Sequence, residues 1–243
     1  VNAPELSFIL AAHNEEGNLR ELVKGIREVV EPLGLAYEIV ITDDGSTDRS
    51  WSIIKELGDA DPRIRAVRFA ANRGKTAALV AAFAAARGRV FVTMDADLQN
   101  DPRDLPKFLA ALKTCDCTCG SRVECRRAGD SFVRTASSRI ANAVRNKLSG
   151  ETISDAGCGY LAFRRECVAK LKLFEGGHRF LSTLIRMEGY TLTEVPVRNN
   201  PRFAGQAHYG VWNRLFKSSA DLLAVRWMKK RFIRYEIAER INE

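Results

Sequence analysis

The 243-residue chain has no run approaching the roughly 20 uncharged apolar residues that a membrane-spanning helix needs. Its longest candidate, Thr76 to Ala86, is about half that length and rich in Ala, so a buried helix is expected there. The N-terminal part shows no cleavable signal pattern: the apolar run Leu6 to Ala12 reaches His13-Asn14-Glu15 at once. Those two absences give the expectation of a cytoplasmic address. Cys115, Cys117, Cys119 and Cys125 lie close together, yet no C-x-x-C pair is present, which argues against a zinc cluster. Alternation by two would set the first three on one face of a strand as reduced, core-filling thiols. Asn72-Arg73-Gly74-Lys75-Thr76 ends like a phosphate-binding P-loop, but Phe69 stands where the first glycine is required, which excludes a Walker ATPase. Internal repeats and low-complexity segments are also missing.

What is present is an ordinary globular composition, 46% hydrophobic and 28% charged. The length suits one large α/β domain, or a domain of about 150 residues with a C-terminal appendage. A net charge of +8 favours an anionic partner such as a nucleotide, a phospholipid, a lipid phosphate or nucleic acid; a merely solvated basic surface is the plain alternative.

Short apolar runs alternate with helical patterns in the first half. Leu6–Ala12, Tyr37–Thr42, Ile64–Phe69 and Val90–Met94 are dense in β-branched and aromatic residues, as buried strands are. Between them, Glu15–Val30, Arg49–Leu57 and Lys75–Arg87 carry apolar residues at helical spacing. This alternation predicts a parallel sheet with right-handed crossovers, a Rossmann-like α/β fold. Further on, the pattern predicts a helix over Pro102–Lys113 and strands over Asp116–Gly120, Gly159–Phe163 and Thr191–Val197. A basic segment runs from Arg122 to Arg145, and a last helix starts near Val211.

Ligands of such sheets bind at the carboxyl ends of the strands. The text after each strand is therefore informative: His13-Asn14-Glu15-Glu16, Asp43-Asp44-Gly45-Ser46-Thr47-Asp48, Asn72-Arg73-Gly74-Lys75 and Asp95-Ala96-Asp97-Leu98-Gln99. Asp95 and Asp97, one residue apart where a buried strand ends, can share a hard divalent cation and leave places for two phosphate oxygens. A diphosphate leaving group needs that neutralisation as its bond breaks. A solvated turn with a helix cap is the bland reading of the same pair. Asp43 and Asp44 can accept the imide N–H of uracil or guanine; equally, the segment can be a turn in which Ser46 or Thr47 caps the next helix and Asp48 favours its dipole. Lys75, at a helix N-terminus beside a glycine, can touch phosphate.

Taken together, these residues resemble the family 2 glycosyltransferases, in particular the polyprenyl-phosphate branch that includes dolichol-phosphate mannose synthase. The resemblance covers about residues 5 to 228. It rests on A-H-N-E at 12–15, D-D-G-S-T-D at 43–48, N-R-G-K at 72–75, D-A-D-L-Q at 95–99, G-S-R at 120–122, R-x-x-x-S-x-x-x-N at 134–142, D-A-G-C-G-Y at 155–160 and P-R-x-x-G at 201–205. The resemblance implies a GT-A fold, an inverting transfer and Mg2+ or Mn2+ held by Asp95, Asp97 and Gln99. It implies a nucleotide-sugar site of Ala12, Asn14, Glu15, Asp43, Asp44, Lys75, Asp95, Ala96 and Arg202. It also implies an acceptor-phosphate site of Arg122, Arg134 and Ser138, which with Asp97 are the implied catalytic residues. Two positions depart from the family pattern: His13 where Tyr is usual, and His208 where a Lys follows the loop glycine.

Many members of the branch carry C-terminal membrane-spanning helices. Here Trp212, Leu215, Phe216, Leu222, Leu223 and Trp227 fall within an arc of about 140° on the last helix, accompanied by Lys217, Arg226, Lys229, Lys230 and Arg231. An amphipathic helix lying on anionic lipid has this look, and so does one packed on the domain or on a dimer partner. The expected organisation is a catalytic domain over residues 1–210 and a basic helical segment over 211–243. The expected activity is transfer of a sugar from a UDP- or GDP-linked donor to a polyprenyl phosphate at the cytoplasmic membrane face, with no nucleic-acid partner and with a homo-oligomer left open. Two alternatives stand beside it: a family 2 enzyme acting on a saccharide or small-molecule hydroxyl with Asp155 as base, and a non-catalytic nucleotide-sugar-binding protein.

Overall fold

The computed structural model describes residues 3–125, 146, 152–155, 157–201, 211–233 and 239, with no side chains described at 211–218. The strands are β1 (Leu6–Ala12), β2 (Tyr37–Asp43), β3 (Ile64–Arg68), β4 (Val90–Asp95), β5 (Cys117–Ser121), β6 (Leu161–Arg164) and β7 (Leu192–Pro196). The helices taken up below are α1 (Leu19–Val30), α2 (Ser50–Ala60), α3 (Lys75–Ala85), α4 (Leu105–Ala111), α5 (Glu166–Ala169), α6 (Leu181–Met187) and α7 (Val211–Arg231).

The strands form one sheet in the order β3-β2-β1-β4-β6-β5-β7. The first four are parallel, β6 runs antiparallel to β4 and β5, and β5 and β7 are parallel. The mostly parallel α/β sheet expected from the sequence is thus present. Its strands are apolar on both sides because both faces are covered. Phe8, Leu10, Ile39, Ile41, Val92 and Met94 point to the face packed by α1, α2 and α4. Ile9, Val40, Phe91 and Phe163 point to the face packed by α3 and α6.

β1 lies between β2 and β4, with Ala12 opposite Asp43 and Ala11 opposite Asp95. The chain moves from β1 to β2 and β3 on one side, then crosses back to β4 on the other. That places the topological switch point between the carboxyl ends of β1 and β4, where open α/β sheets bind ligands.

Several expectations need correction. The first helix starts at Leu19, not Glu15. Asn14 has a left-handed φ of 56°, and the backbone N–H groups of Asn14, Glu15 and Glu16 go to Ser46 Oγ, Ser50 Oγ and Asp48 Oδ2 instead of into a helix. Ser46 and Thr47 do not cap α2; Asp48 Oδ1 accepts the backbone N–H of Ser50 at 2.9 Å. Cys115 precedes β5 and packs on the α1 face, whereas Cys117 and Cys119 lie on the α3 face, so the three do not share one side. All six thiols are free. Burial pushes the Cys158 and Cys167 thiols up to about 12, consistent with inert filling.

The apolar arc of the last helix also divides. Leu222 and Val225 are buried against Phe180, Leu184 and Met187, whereas Leu223 and Trp227 are 58% and 61% exposed. Trp212, Leu215 and Phe216 lie among the side chains not described. Among the described residues no helix is long and apolar enough to cross a membrane.

Asp61, at the end of α2, ties three elements: it accepts from Arg27 of α1 and from the side chain and backbone of Arg63. Desolvation pushes its carboxyl up, but these hydrogen bonds outweigh it and hold the pKa at about 2. A depressed carboxylate contributes stability above its unfolded pKa that is lost as pH falls through the folded value. Asp61→Asn is therefore expected to cost on the order of 2 kcal/mol near pH 7 and to flatten the loss of stability between about pH 5 and pH 2. Urea unfolding across that pH range checks both.

Candidate active site

The loops following β1, β2 and β3 are stitched into one platform. Asn14 N–H donates to Ser46 Oγ at 3.0 Å, and Asn14 Oδ1 accepts the Thr47 N–H at 2.9 Å. His13 Nδ1 lies 2.9 Å from the Asp44 carbonyl oxygen. Asp44, 4% exposed, accepts the backbone N–H groups of Arg73 and Gly74 at 2.6 and 2.9 Å. Gly74 has φ +86° and leads directly into α3, so Asp44 fixes where that helix begins. Gly45 also has positive φ, and a Cβ there would fall 2.5 Å from the backbone carbon of Ala71.

Asp43 is fully covered. Its Oδ1 accepts the Ser46 N–H at 3.3 Å, and Arg68 Nε lies 3.1 Å from Oδ2. Strand alternation separates it from the carboxylate of β4: Asp43 follows Ile39 and Ile41 on the α1 face, while Asp95 follows Phe91 and Thr93 on the α3 face. The acidic residues ending β2 and β4 therefore do not converge on one ion.

At the end of β4, the Asp95 carboxylate pairs with the Lys75 ammonium at the first position of α3. A third of the Asp95 side chain stays exposed, 33%. Desolvation pushes its carboxyl up, but Lys75, and beyond it Arg122 and His178, more than offset this and hold it below the usual carboxylate range. Two backbone features make room for the arrangement. The Asp95 N–H donates to Asn100 Oδ1 at 3.0 Å, fixing the following turn, in which Leu98 adopts a left-handed φ of 63°. Gly159 faces the carboxylate: a Cβ there would lie 2.6 Å from Asp95 Oδ1.

Asp97 is 8% exposed, and its Oδ1 accepts the Gln99 N–H at 3.2 Å. Gln99 in turn accepts the Asn200 N–H on its carbonyl oxygen. Asp95 and Asp97 supply hard oxygen donors one residue apart, and Lys75 already brings a positive charge to Asp95. Among the described residues no group of three or more His, Cys, Asp or Glu is placed to hold a metal. The set fits an ion of the Mg2+ kind, which is typically held by one or two carboxylates with the rest of its shell from phosphate and water. A cavity of about 370 Å³ lies on the α1 side of this turn, lined in part by Gly25, Leu98, Asn100, Asn200 and Pro201.

Arg122 follows β5 and is 13% exposed. Its Nε and Nη2 donate to Asp155 Oδ2 and Oδ1 at 2.7 and 3.0 Å, and its backbone N–H donates to Oδ2 at 3.1 Å. Burial works against the guanidinium charge, and the Asp155 hydrogen bonds more than restore it. Glu194 of β7 holds the other side of this turn by accepting from the N–H of Ser154 and of Asp155.

The structure thus brings Lys75, Asp95, Asp97 and Arg122 to the β4 end of the sheet and sets Asn14, Asp43 and Asp44 in the adjoining platform. Ala12 and Ala96 are buried and serve as backbone, and Glu15 Oε2 accepts from Asn18. Arg134, Ser138, Arg202 and His208 lie outside the described residues. Sequence reasoning missed Asn100, Gly159 and His178. Gly159 stood inside a motif already singled out, but the close approach that demands a glycine is visible only in three dimensions. His178 follows two glycines, Gly176 and Gly177, the one signal ahead of it.

The model of the family described as glycosyl transferase family 2 matches residues 7–172. A dodecaprenyl-phosphate galacturonate synthase of Rhizobium johnstonii is 32% identical over 241 residues, covering 97% of this chain and 69% of that protein. An undecaprenyl-phosphate 4-deoxy-4-formamido-L-arabinose transferase of Edwardsiella ictaluri is 31% identical, covering 85% of this chain and 63% of that protein. The chain therefore spans about two thirds of the length of these relatives. Among solved structures, glucosyl-3-phosphoglycerate synthase from Mycobacterium tuberculosis, in complex with Mn2+, UDP and glucosyl-3-phosphoglycerate, superposes with a TM-score of 0.68 at 20% identity. That alignment covers 95% of this chain and 81% of the other, and shows that the two share the GT-A-like fold. Fold, site and similarity lead to one conclusion: this chain belongs to glycosyl transferase family 2.

Proposed function

We propose that the chain catalyses metal-dependent transfer of a sugar from a nucleoside-diphosphate sugar, UDP- or GDP-linked, to a polyprenyl phosphate at a membrane surface. The observation that carries this reading is the crowding of cationic and ionisable nitrogen groups around one ionised carboxylate: Lys75 on Asp95, with Arg122 and His178 close enough to lower it. Such a place suits anionic phosphate groups. The acceptor class comes from the two polyprenyl-phosphate relatives.

In this reading the nucleotide lies over the platform made by Ala12, Asn14, Glu15 and Asp44, with Asp43 beneath it as a covered floor. Asp95, Asp97 and Gln99 would hold Mg2+ or Mn2+, which would supply neutralisation of charge on the diphosphate. Lys75 turns from Asp95 to a diphosphate oxygen, and Ala96 and Arg202 complete the donor site. Arg122, Arg134 and Ser138 hold the acceptor phosphate, since guanidinium forks match phosphate oxygens in bidentate fashion. An acceptor phosphate oxygen attacks the anomeric carbon as the bond from that carbon to the diphosphate oxygen breaks, inverting the centre. The nucleoside diphosphate carries away the bonding electrons. A phosphate monoester has a second pKa of about 6, so near neutrality it needs no protein base.

The pairing of Asp155 speaks against the hydroxyl-acceptor alternative. Both its carboxylate oxygens accept from Arg122, which favours a role in aiming that guanidinium over one in taking a proton. Residues 1–210 form the catalytic part in this proposal. Helix α7 faces the cytoplasmic leaflet with the exposed Leu223 and Trp227 and with Lys229 and Lys230 of its last turn.

Asp95→Asn and Asp97→Asn are each expected to lower transfer by about a hundredfold or more. The assay is Mn2+-supported transfer from a panel of radiolabelled UDP- and GDP-sugars to undecaprenyl phosphate in detergent; undiminished transfer by both variants would refute the metal reading. Asp155→Asn should raise the acceptor KM about tenfold through a misaimed Arg122 while leaving the pH profile of kcat in place. A collapse of kcat with intact donor binding would instead point to a hydroxyl acceptor and a base at Asp155.

A further inference from the structure

The short turn Gly177–Phe180, which leads into α6, touches two distant parts of the chain with adjacent residues. On one side, His178 Nδ1 lies 2.7 Å from Thr76 Oγ1, and the His178 backbone N–H points at the same oxygen at 3.4 Å. Thr76 is 6% exposed and sits in the first turn of α3, next to Lys75. On the other side, Arg179 Nη2 donates to Asp221 Oδ2 of α7 at 2.6 Å. Gly176, at φ +84°, lets this pair lie against bare backbone: a Cβ there would come within 2.5 Å of the guanidinium and 2.8 Å of the Asp221 carboxylate. Phe180, the next residue, is buried against Leu222 and Val225 of α7.

Lys75 carries a flexible four-carbon stem, so its ammonium is well placed only if its backbone is. One anchor is Asp44, which holds Arg73 and Gly74 just before the helix. Thr76 provides the second, from the opposite side of Lys75. We propose that His178 is a positioning residue for Lys75, acting through Thr76, and that the docking of α7 on Arg179 through Asp221 sets that position. The route is a short series of direct contacts from the C-terminal helix to the Asp95 carboxylate. Whatever seats α7, a lipid surface in the reading above, thereby tightens the donor site. The proposal rests on that reading for the role of Lys75 toward the diphosphate, but the positioning itself is a property of the protein alone.

The test uses Thr76→Val, which removes the hydroxyl at nearly constant shape, Thr76→Ser, which keeps it, and Asp221→Asn, alone and combined with Lys75→Ala. Amide hydrogen exchange over residues 74–78 reads the positioning without any ligand. Calorimetry with UDP and with GDP, each with Mn2+, reads the donor site. Thr76→Val and Asp221→Asn are expected to speed exchange over 74–78 and to weaken diphosphate binding about threefold to tenfold, while Thr76→Ser stays near wild type. In the Lys75→Ala background neither should weaken binding further. Unchanged exchange over 74–78 in Asp221→Asn overturns the positioning role, as do binding losses that simply add to that of Lys75→Ala. Wild-type protein that binds neither diphosphate overturns the donor reading of Lys75.

Discussion

An ionised carboxylate held partly out of water at the end of β4 is the constraint around which the site is built. Drawing a charge away from solvent is costly unless a partner of opposite sign is held beside it. Asp95 meets that condition through Lys75, and Lys75 can be there only because α3 begins where it does. The start of α3 is set in turn by Asp44, through the N–H groups of Arg73 and Gly74. Asn100 fixes the turn on the far side of the carboxylate, and the missing side chain of Gly159 leaves the space it occupies. Each part is ordinary by itself; the carboxylate needs all of them at once.

The platform beside it follows a different logic. Buried backbone donors must find acceptors, and in loops the acceptors are short polar side chains. Ser46, Asp48 and Ser50 serve the N–H groups that follow β1, while Asn14 serves one that follows β2. The polar motif after β2 is thus spent largely on joining two loops. A rigid floor of this kind lets a neighbouring ligand be met by groups that are already in place, which keeps the ordering cost of binding low.

The second half of the chain closes the site from the α3 face. β6 runs antiparallel between β4 and β5, which brings the segment before it, with Asp155 and Gly159, back to the β4 terminus. Arg122, arriving from β5, meets Asp155 there in a paired geometry that fixes the plane of the guanidinium. α6 and α7 then pack through Leu184, Met187, Leu222 and Val225, leaving Leu223 and Trp227 outward. Two neighbouring leucines on one helix so face different surroundings, which a single apolar arc did not anticipate.

By itself the sequence determined the strand–helix alternation, the membership of the polar loops at the strand ends, and the Asp95–Asp97 pair. These are local matters: period-two and helical periodicities are set by covalent geometry, and the run of residues after each apolar segment can be read directly. The first helix was placed early because periodicity does not register that Ser46 and Ser50 capture the N–H groups of the preceding loop. Asp43 and Asp95 both end buried strands, and register and alternation turn them to opposite faces. Only the tertiary structure decided that Asp155 is bound to Arg122 and that His178 meets Thr76, a contact across 102 positions. Such partners are chosen by how the sheet order folds distant segments together, and no spacing within the chain encodes that distance.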